Sequence, residues 1–178
     1  MIKNLYLAIV TALKTVKDDS NNQYFKSFDL WNQNVEFLEM DEPFSTPAVF
    51  IEFDPISWQT LGNKNQEAMA TIRLHIVTQW HANTADNVAA EFRTPALAYL
   101  DAPSRVLKAM QGLVIQPTAT MRCSNTWTRT QSIVNHNHEK YVDSVEVYTT
   151  HIFDDSAVSK STKKILHLGI DAEFRDFQ

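Results

Sequence analysis

Only three glycines, Gly62, Gly112 and Gly169, occur in this chain of 178 residues, and they lie far apart. Glycine is the residue that admits left-handed backbone and the close approach of another chain or ligand. The P-loop, the GxGxxG dinucleotide turn and the GxSxG nucleophile elbow each need several closely spaced glycines. None of them can be written with these three. Nucleotide-binding and α/β-hydrolase folds therefore find no footing in this sequence.

The length fits one domain with a single core. A hydrophobic share of 44% and a charged share of 21% are those of a water-soluble globule. No apolar run approaches the ~18 to 20 residues needed to cross a bilayer, and the amphipathic N-terminus lacks the small-residue cleavage site of a secretory signal. The one cysteine, Cys123, has no internal partner, so a reducing interior is expected. A net charge of −5 opposes a dedicated nucleic-acid binder, whose affinity rests on Lys and Arg at phosphates. The densest basic group, Lys160, Lys163 and Lys164, reads as solvated surface.

Ile2, Leu5, Tyr6, Ile9, Leu13 and Val16 recur at helical spacing and predict an amphipathic helix over about residues 2–17. The segment that follows reads as irregular, with a short strand around Val35 to Met40 and a turn between Pro43 and Pro47. "AVFIEF" alternates, with Val49, Ile51 and Phe53 on one side, and Pro55 ends or bulges that strand. After the turn at Gly62 the chain returns through "ATIRLHIVTQW", which places Ile72, Leu74, Ile76 and Trp80 on one face. Arg73, His75 and Gln79 occupy the other, which is therefore wet or meets a partner. These two strands predict a long antiparallel hairpin.

A polar connection follows, with a helical turn around Asn87 to Phe92. A second helix is predicted over about 102–112, capped by Asp101 and closed by Gly112. Its inward stripe is Val106, Leu107, Met110 and Leu113, with Leu97 and Leu100 beneath its entry. Three more strands are read. The first sets Met121, Cys123, Trp127 and Ile133 on one face, and the second groups Val145, Val147 and Phe153. The third, over 164–174, groups Leu166, Leu168, Ile170, Ala172 and Phe174. Strands joined by tight turns with few helical crossovers predict an α+β fold: a mainly antiparallel β-sheet with two helices packed on one face.

The stretch "NHNHEK" most resembles chemistry. His136 and His138, two apart on a strand, would point the same way, as two metal ligands do. A catalytic zinc needs a third protein ligand, and no spacing selects among Asp143, His151 and Glu139. Flanked by alternating strands and by Asn135 and Asn137, the stretch reads instead as a hairpin tip. Cys123 reads as a buried thiol and Glu36, Glu39, Asp41 and Glu42 as a solvated acidic loop. No catalytic, cofactor or metal residue is assigned. Of the four tryptophans, Trp31, Trp58, Trp80 and Trp127, Trp58 is a candidate for a subunit contact.

The amphipathic first helix, then "PAVFIEFDPISWQTLGNKNQEAMATIRLHIV", then the helix closing on "LKAMQGL", then strands ending "VEVYTTHIFDD", together resemble the tail-completion and tail-terminator proteins of tailed bacteriophages and the related head–tail joining proteins of the neck. The similarity runs from Ile2 to about Asp155 and rests on element order rather than an invariant motif. It implies a ring-forming domain over 1–155, with 156–178 a further strand or an arm reaching a neighbour. It further implies a homo-oligomeric ring, a hexamer in that family, that caps the tail tube and receives the head connector. The implied partners are copies of itself and portal, connector or tail-tube proteins. The implied place is the virion tail or neck, after assembly in the host cytoplasm, with no enzymatic activity, no cofactor and no membrane.

Within that frame the subunit-interface candidates are Trp58, Arg73, His75, Leu166, Leu168 and Ile170. Asp154 and Asp155 are channel-facing candidates, because acidic residues repel phosphate and let DNA slide past without specific binding. Three other readings stand beside it. A head–tail adaptor or stopper ring uses a similar scaffold. A metal-dependent hydrolase or nuclease would be built on His136 and His138. A non-viral binding module would take a peptide or small ligand across the sheet.

Overall fold

The computed structural model describes residues 1–32, 44–80, 84–116, 123–135 and 141–158. It is an α+β protein, and its described strands form one six-stranded sheet. Helix α1 spans Ile2–Lys14, followed by strands β1 (Ser27–Leu30), β2 (Ala48–Phe53), β3 (Gln59–Gly62) and β4 (Asn65–Gln79). A short helix α2 (Ala90–Leu97) continues through a 3₁₀ turn (Ala98–Leu100) into α3 (Asp101–Met110). Strands β5 (Thr128–Asn135) and β6 (Tyr141–Asp154) complete the sheet, whose order is β1-β2-β4-β6-β5, with β3 pairing the start of β4. β1 runs parallel to β2 and every other pairing is antiparallel.

α1 forms because its apolar residues fall on one stripe: Leu5, Ile9, Val10 and Leu13 are buried while Lys3 and Lys14 face solvent. It ends at Lys14, three residues earlier than the periodicity predicts, and the Thr15 hydroxyl donates to the Ala12 carbonyl at its end. α3 buries Ala102, Val106 and Met110. These two stripes meet the inward rows of the sheet: Val49 and Ile51 of β2, Ala70, Ile72, Leu74 and Ile76 of β4, and Tyr148 and Ile152 of β6. Trp127 and Cys123 close the same core and are fully buried.

The expected hairpin is present as β2 against β4, from Ala48 opposite Val77 to Phe53 opposite Ile72. Its far turn needs left-handed backbone: Gly62, Asn63 and Lys64 have φ of 96°, 47° and 63°. Gly112, φ 79°, stands just past α3 as predicted.

Several expectations require correction. The segment read as irregular contains β1, which is held by parallel pairing to β2, a non-local interaction with no periodic trace in four residues. Asp101 does not cap α3; the backbone before it is already helical, so Asp101 lies in the first turn without a capping bond. Leu100 is 49% exposed rather than packed, and the buried residue at that entry is Ala96. Helical structure before α3 begins at Ala90 rather than Asn87. Trp80 lies past the end of β4 and is 38% exposed, although it shares parity with Ile76.

Ile133 does not share a face with Trp127. A register shift between Arg129 and Gln131 adds one residue to β5, which flips every later side chain to the other face. Residues 123–127 join the sheet through isolated bridges, Val114 to Thr126 and Ser124 to Ile152, rather than as part of β5. The short strand expected at Val35–Met40, the strand over 164–174 and Met121 lie outside the described residues.

Tyr148 offers a test of this core. Its ring is fully buried and its hydroxyl has no hydrogen-bond partner among the described residues. Burial pushes the phenol pKa up from its ordinary 10.0, the nearby Glu146 carboxylate adds to the rise, and Arg129 opposes it. The native state therefore holds this proton more tightly than the unfolded chain. The stability tied to it is intact below the ordinary phenol pKa and is lost as pH rises beyond that value. Tyr148→Phe is expected to match or exceed the parent stability at neutral pH, by up to ~1–3 kcal/mol for an unsatisfied buried hydroxyl, and to unfold less readily in alkali. Urea denaturation at neutral and alkaline pH measures both. A variant clearly weaker than the parent at neutral pH would show that the hydroxyl is bonded.

Candidate functional site

The face of the sheet turned away from α1 and α3 carries a second, smaller apolar cluster and the densest polar network among the described residues. The apolar part is Ala48, Phe50 and Val77, with Trp31, Phe44 and Tyr141 packed against it. Phe44 meets Phe50 edge-on with ring centroids 5.0 Å apart. Beside this cluster, His75 projects from the middle of β4, between β2 and β6.

Each ring nitrogen of His75 faces a carboxylate. Nδ1 lies 3.0 Å from Asp143 Oδ2 on β6, and Nε2 lies 3.2 Å from Glu52 Oε2 on β2. The two contacts tie the ring to strands on either side of β4, with the donating nitrogen set by the tautomer. The Trp31 indole lies flat on the imidazole, with centroids 3.7 Å apart and planes 4° from parallel. Arg73, two residues before His75, binds Asp54 with two guanidinium hydrogen bonds of 2.8 and 3.2 Å and also approaches Glu52 at 3.7 Å. The hydrogen bonds to Asp54 come first among the causes that raise the Arg73 pKa. A chain of polar contacts, Asp143–His75–Glu52–Arg73–Asp54, thus crosses the second face.

This arrangement does not resemble a proton-transfer site. Both nitrogens of His75 are engaged within the chain, one ring face is covered by Trp31, and the residue is 8% exposed. Its chemistry is that of a polar clamp holding β2, β4 and β6 in register. A second buried carboxylate, Glu146, is 2% exposed and is satisfied by Arg129 Nη1 at 3.1 Å and the Ser132 hydroxyl at 2.8 Å.

The residues nominated from sequence fall in distinct places. Arg73 and His75 stand together in the clamp, with Arg73 half-buried. Trp58 is half-buried and packs on the main core. Asp154 ends β6, and its Oδ1 accepts the backbone N–H of Ser156 at 2.9 Å; Asp155 is exposed. Burial disfavours the Asp154 charge, but hydrogen bonds from Ser156 outweigh it and lower the pKa. Asp143, considered as a metal ligand, is a partner of His75 instead. Cys123 is buried, and burial raises its thiol pKa. His136, His138, Glu139, Leu166, Leu168, Ile170, the acidic loop Glu36, Glu39, Asp41 and Glu42, and the basic group Lys160, Lys163 and Lys164 lie outside the described residues. Among the described residues, no cluster of three or more His, Cys, Asp or Glu is placed to hold a metal ion. No described helix is long and apolar enough to cross a membrane.

Sequence reasoning missed the place of β5 at the edge of the described sheet. β5 pairs only with β6 among the described strands, which leaves its outer backbone unpaired there. On it Ile133 and Val134 are 45% and 46% exposed. They are neighbours on a strand and so project from opposite faces. The signal was an adjacent apolar pair inside an otherwise polar strand, "TRTQSIVN".

No protein-family model and no curated protein matches this chain. Among solved structures, it is similar to a chain of the virion of a native gene transfer agent particle. That likeness has 12% identity and a TM-score of 0.49, and covers 84% of this chain and 95% of that one. At this distance it is a likeness in the course of the chain, and the reading below rests on this chain's own residues.

Proposed function

We propose that the chain is a structural virion protein that self-assembles into a ring at the tail or neck of a tailed phage. In this reading the ring, a hexamer as in the tail-terminator family, joins or terminates the tail and lets DNA pass without gripping it. Its neighbours are portal, connector or tail-tube proteins. The observation that carries it is the β5 edge. Soluble monomers blunt an edge strand with Lys, Pro or a cover. Here β5 carries a charge and a bulge in its first half, at Arg129 to Gln131. Its second half has neither charge nor Pro and presents exposed Ile133 and Val134. A closed ring of identical copies uses such an edge by heterologous contact.

Three further points support the reading. The element order helix, hairpin, helix, paired strands is that of the family the sequence resembles. The second face adds Arg73, and the β2–β3 connection adds Trp58, as contact residues. Asp154 and Asp155 supply negative charge at the end of β6 for a lumen that repels phosphate, and an adaptor or stopper ring would use the same surfaces.

Sedimentation over a range of concentrations, with electron microscopy of the same samples, tests the proposal. The expected outcome is a discrete oligomer visible as annular particles. A chain that stays monomeric throughout, and also fails to join purified tails or capsids, would overturn it.

A further inference from the structure

A cavity of about 240 Å³ opens between the end of α1 and α3, lined by Thr15, Val16, Lys17, Arg105, Lys108 and Ala109. Three of these six residues are cationic and none is acidic, in a chain whose net charge is −5. Arg105 is held in place from three sides. Its Nη1 donates to the Lys17 carbonyl at 2.7 Å and its Nη2 to Asp19 Oδ1 at 3.0 Å. The guanidinium carbon lies 4.7 Å from the centroid of the Tyr24 ring. The guanidinium keeps further N–H donors beyond those two; its Nε is buried and has no acceptor among the described residues.

The two lysines are engaged differently. Lys17 and Lys108 are exposed, and their ammonium groups take part in no ion pair or hydrogen bond among the described residues. A lysine at a helix C-terminus ordinarily offsets the unpaired carbonyls there. Here the carbonyls of Ala12, Leu13 and Val16 already accept the backbone N–H groups of Thr15, Val16 and Tyr24, and that of Lys17 accepts Arg105. The neighbouring carboxylates have other work. Asp18 accepts the N–H groups of Ser20 and Asn22 within its own turn, and Asp19 binds Arg105. Setting the Arg105–Asp19 pair aside leaves the positive charges of Lys17 and Lys108 at one small cavity. Like charges held together repel, and an anion between them reverses the sign of that interaction.

We infer that this cavity binds one phosphate-type dianion, inorganic phosphate or a phosphate monoester, between the ammonium groups of Lys17 and Lys108, with Arg105 as a third donor. A phosphate monoester carries about −1.5 to −2 charges at neutral pH, which matches the two lysines. Lysine binds phosphate as a point charge and needs no fixed fork geometry. A nucleic-acid strand fits less well. Its flanking phosphates would meet Asp18, Asp19 and Asp101, the last one turn before Arg105 on α3. The inference concerns one copy and uses no residue of the β5 edge or of the second face, so it stands apart from the assembly reading.

Calorimetric titration of the full chain with inorganic phosphate, at an ionic strength held constant with chloride, tests it. Saturable binding of one phosphate per chain is expected. Lys17→Gln and Lys108→Gln are each expected to weaken it at least about tenfold, the loss of one charge-assisted hydrogen bond. Both positions are exposed, so thermal unfolding of the phosphate-free variants is expected to match the parent. Lys64→Gln, in the exposed β3–β4 turn, is the control and is expected to leave binding unchanged. A short DNA duplex at matched phosphate concentration is expected to bind more weakly than inorganic phosphate. No saturable phosphate binding, binding unaltered by both lysine variants, or an equal loss in Lys64→Gln would overturn the inference. So would duplex DNA held more tightly than phosphate through the same two lysines. Sedimentation of the parent chain reports on the ring separately, so failure of one reading is distinguishable from failure of the other.

Discussion

Replacing His75 with alanine is expected to destabilise the fold by about 1–3 kcal/mol, the cost of leaving a buried polar group without its hydrogen-bond partner. The cost falls on Asp143. Its side chain is 5% exposed, and among the described residues Oδ1 has no partner and Oδ2 meets the His75 ring. Without the imidazole, a carboxylate is left buried and unpaired between β4 and β6. Glu52 suffers less, because its side chain is 38% exposed and Arg73 lies 3.7 Å away. Loss of the Trp31 stack adds to the effect. Urea denaturation of His75→Ala measures the total. The double variant His75→Phe with Asp143→Val is expected to recover much of the loss, because it removes the buried charge together with its partner and keeps an aromatic surface under Trp31. A single variant within ~0.5 kcal/mol of the parent, the range of ordinary surface changes, would mean that the clamp holds nothing.

Val134→Lys combined with Ile133→Lys is expected to abolish self-association and leave the monomer folded. Both side chains are nearly half exposed, so the substitutions should cost no more than ~0.5 kcal/mol each in the isolated subunit. In a ring built on the β5 edge, each lysine would meet the same edge contact in every copy. A loss of ~1.4 kcal/mol per contact already weakens each association step about tenfold. Leu30→Lys, on the opposite edge strand β1 and 51% exposed, serves as the control and is expected to leave association unchanged if β5 carries the contact. Sedimentation of the three proteins at matched concentration decides. Equal association by the double variant and the parent would remove β5 from the interface.

Much of this architecture is legible before any coordinates. The stripe Leu5, Ile9, Leu13 announces α1, because burial on one side imposes helical spacing on apolar residues. Alternation does the same for Val49 and Ile51 and for Ile72, Leu74 and Ile76, and Gly112 marks the end of α3 by its left-handed backbone. The candidate site was legible only in part. Arg73 and His75 stand out as polar residues on the second row of β4, yet their partners lie elsewhere in the chain. Glu52 precedes His75 by 23 residues and Asp143 follows it by 68.

What the sequence alone determined was local: where helices and strands form, which side of β2 and β4 is apolar, and that clustered-glycine folds are out of reach. Those properties follow from side-chain periodicity and backbone freedom, which act over a few residues. The tertiary structure decided the rest. It set β1 parallel to β2, and one extra residue in β5 turned Ile133 to the other face. It also brought Trp31, Glu52 and Asp143 around His75, and left β5 at the rim among the described strands. Each of these is set by pairing between segments distant in the chain. Such pairing leaves no period in the sequence of either segment.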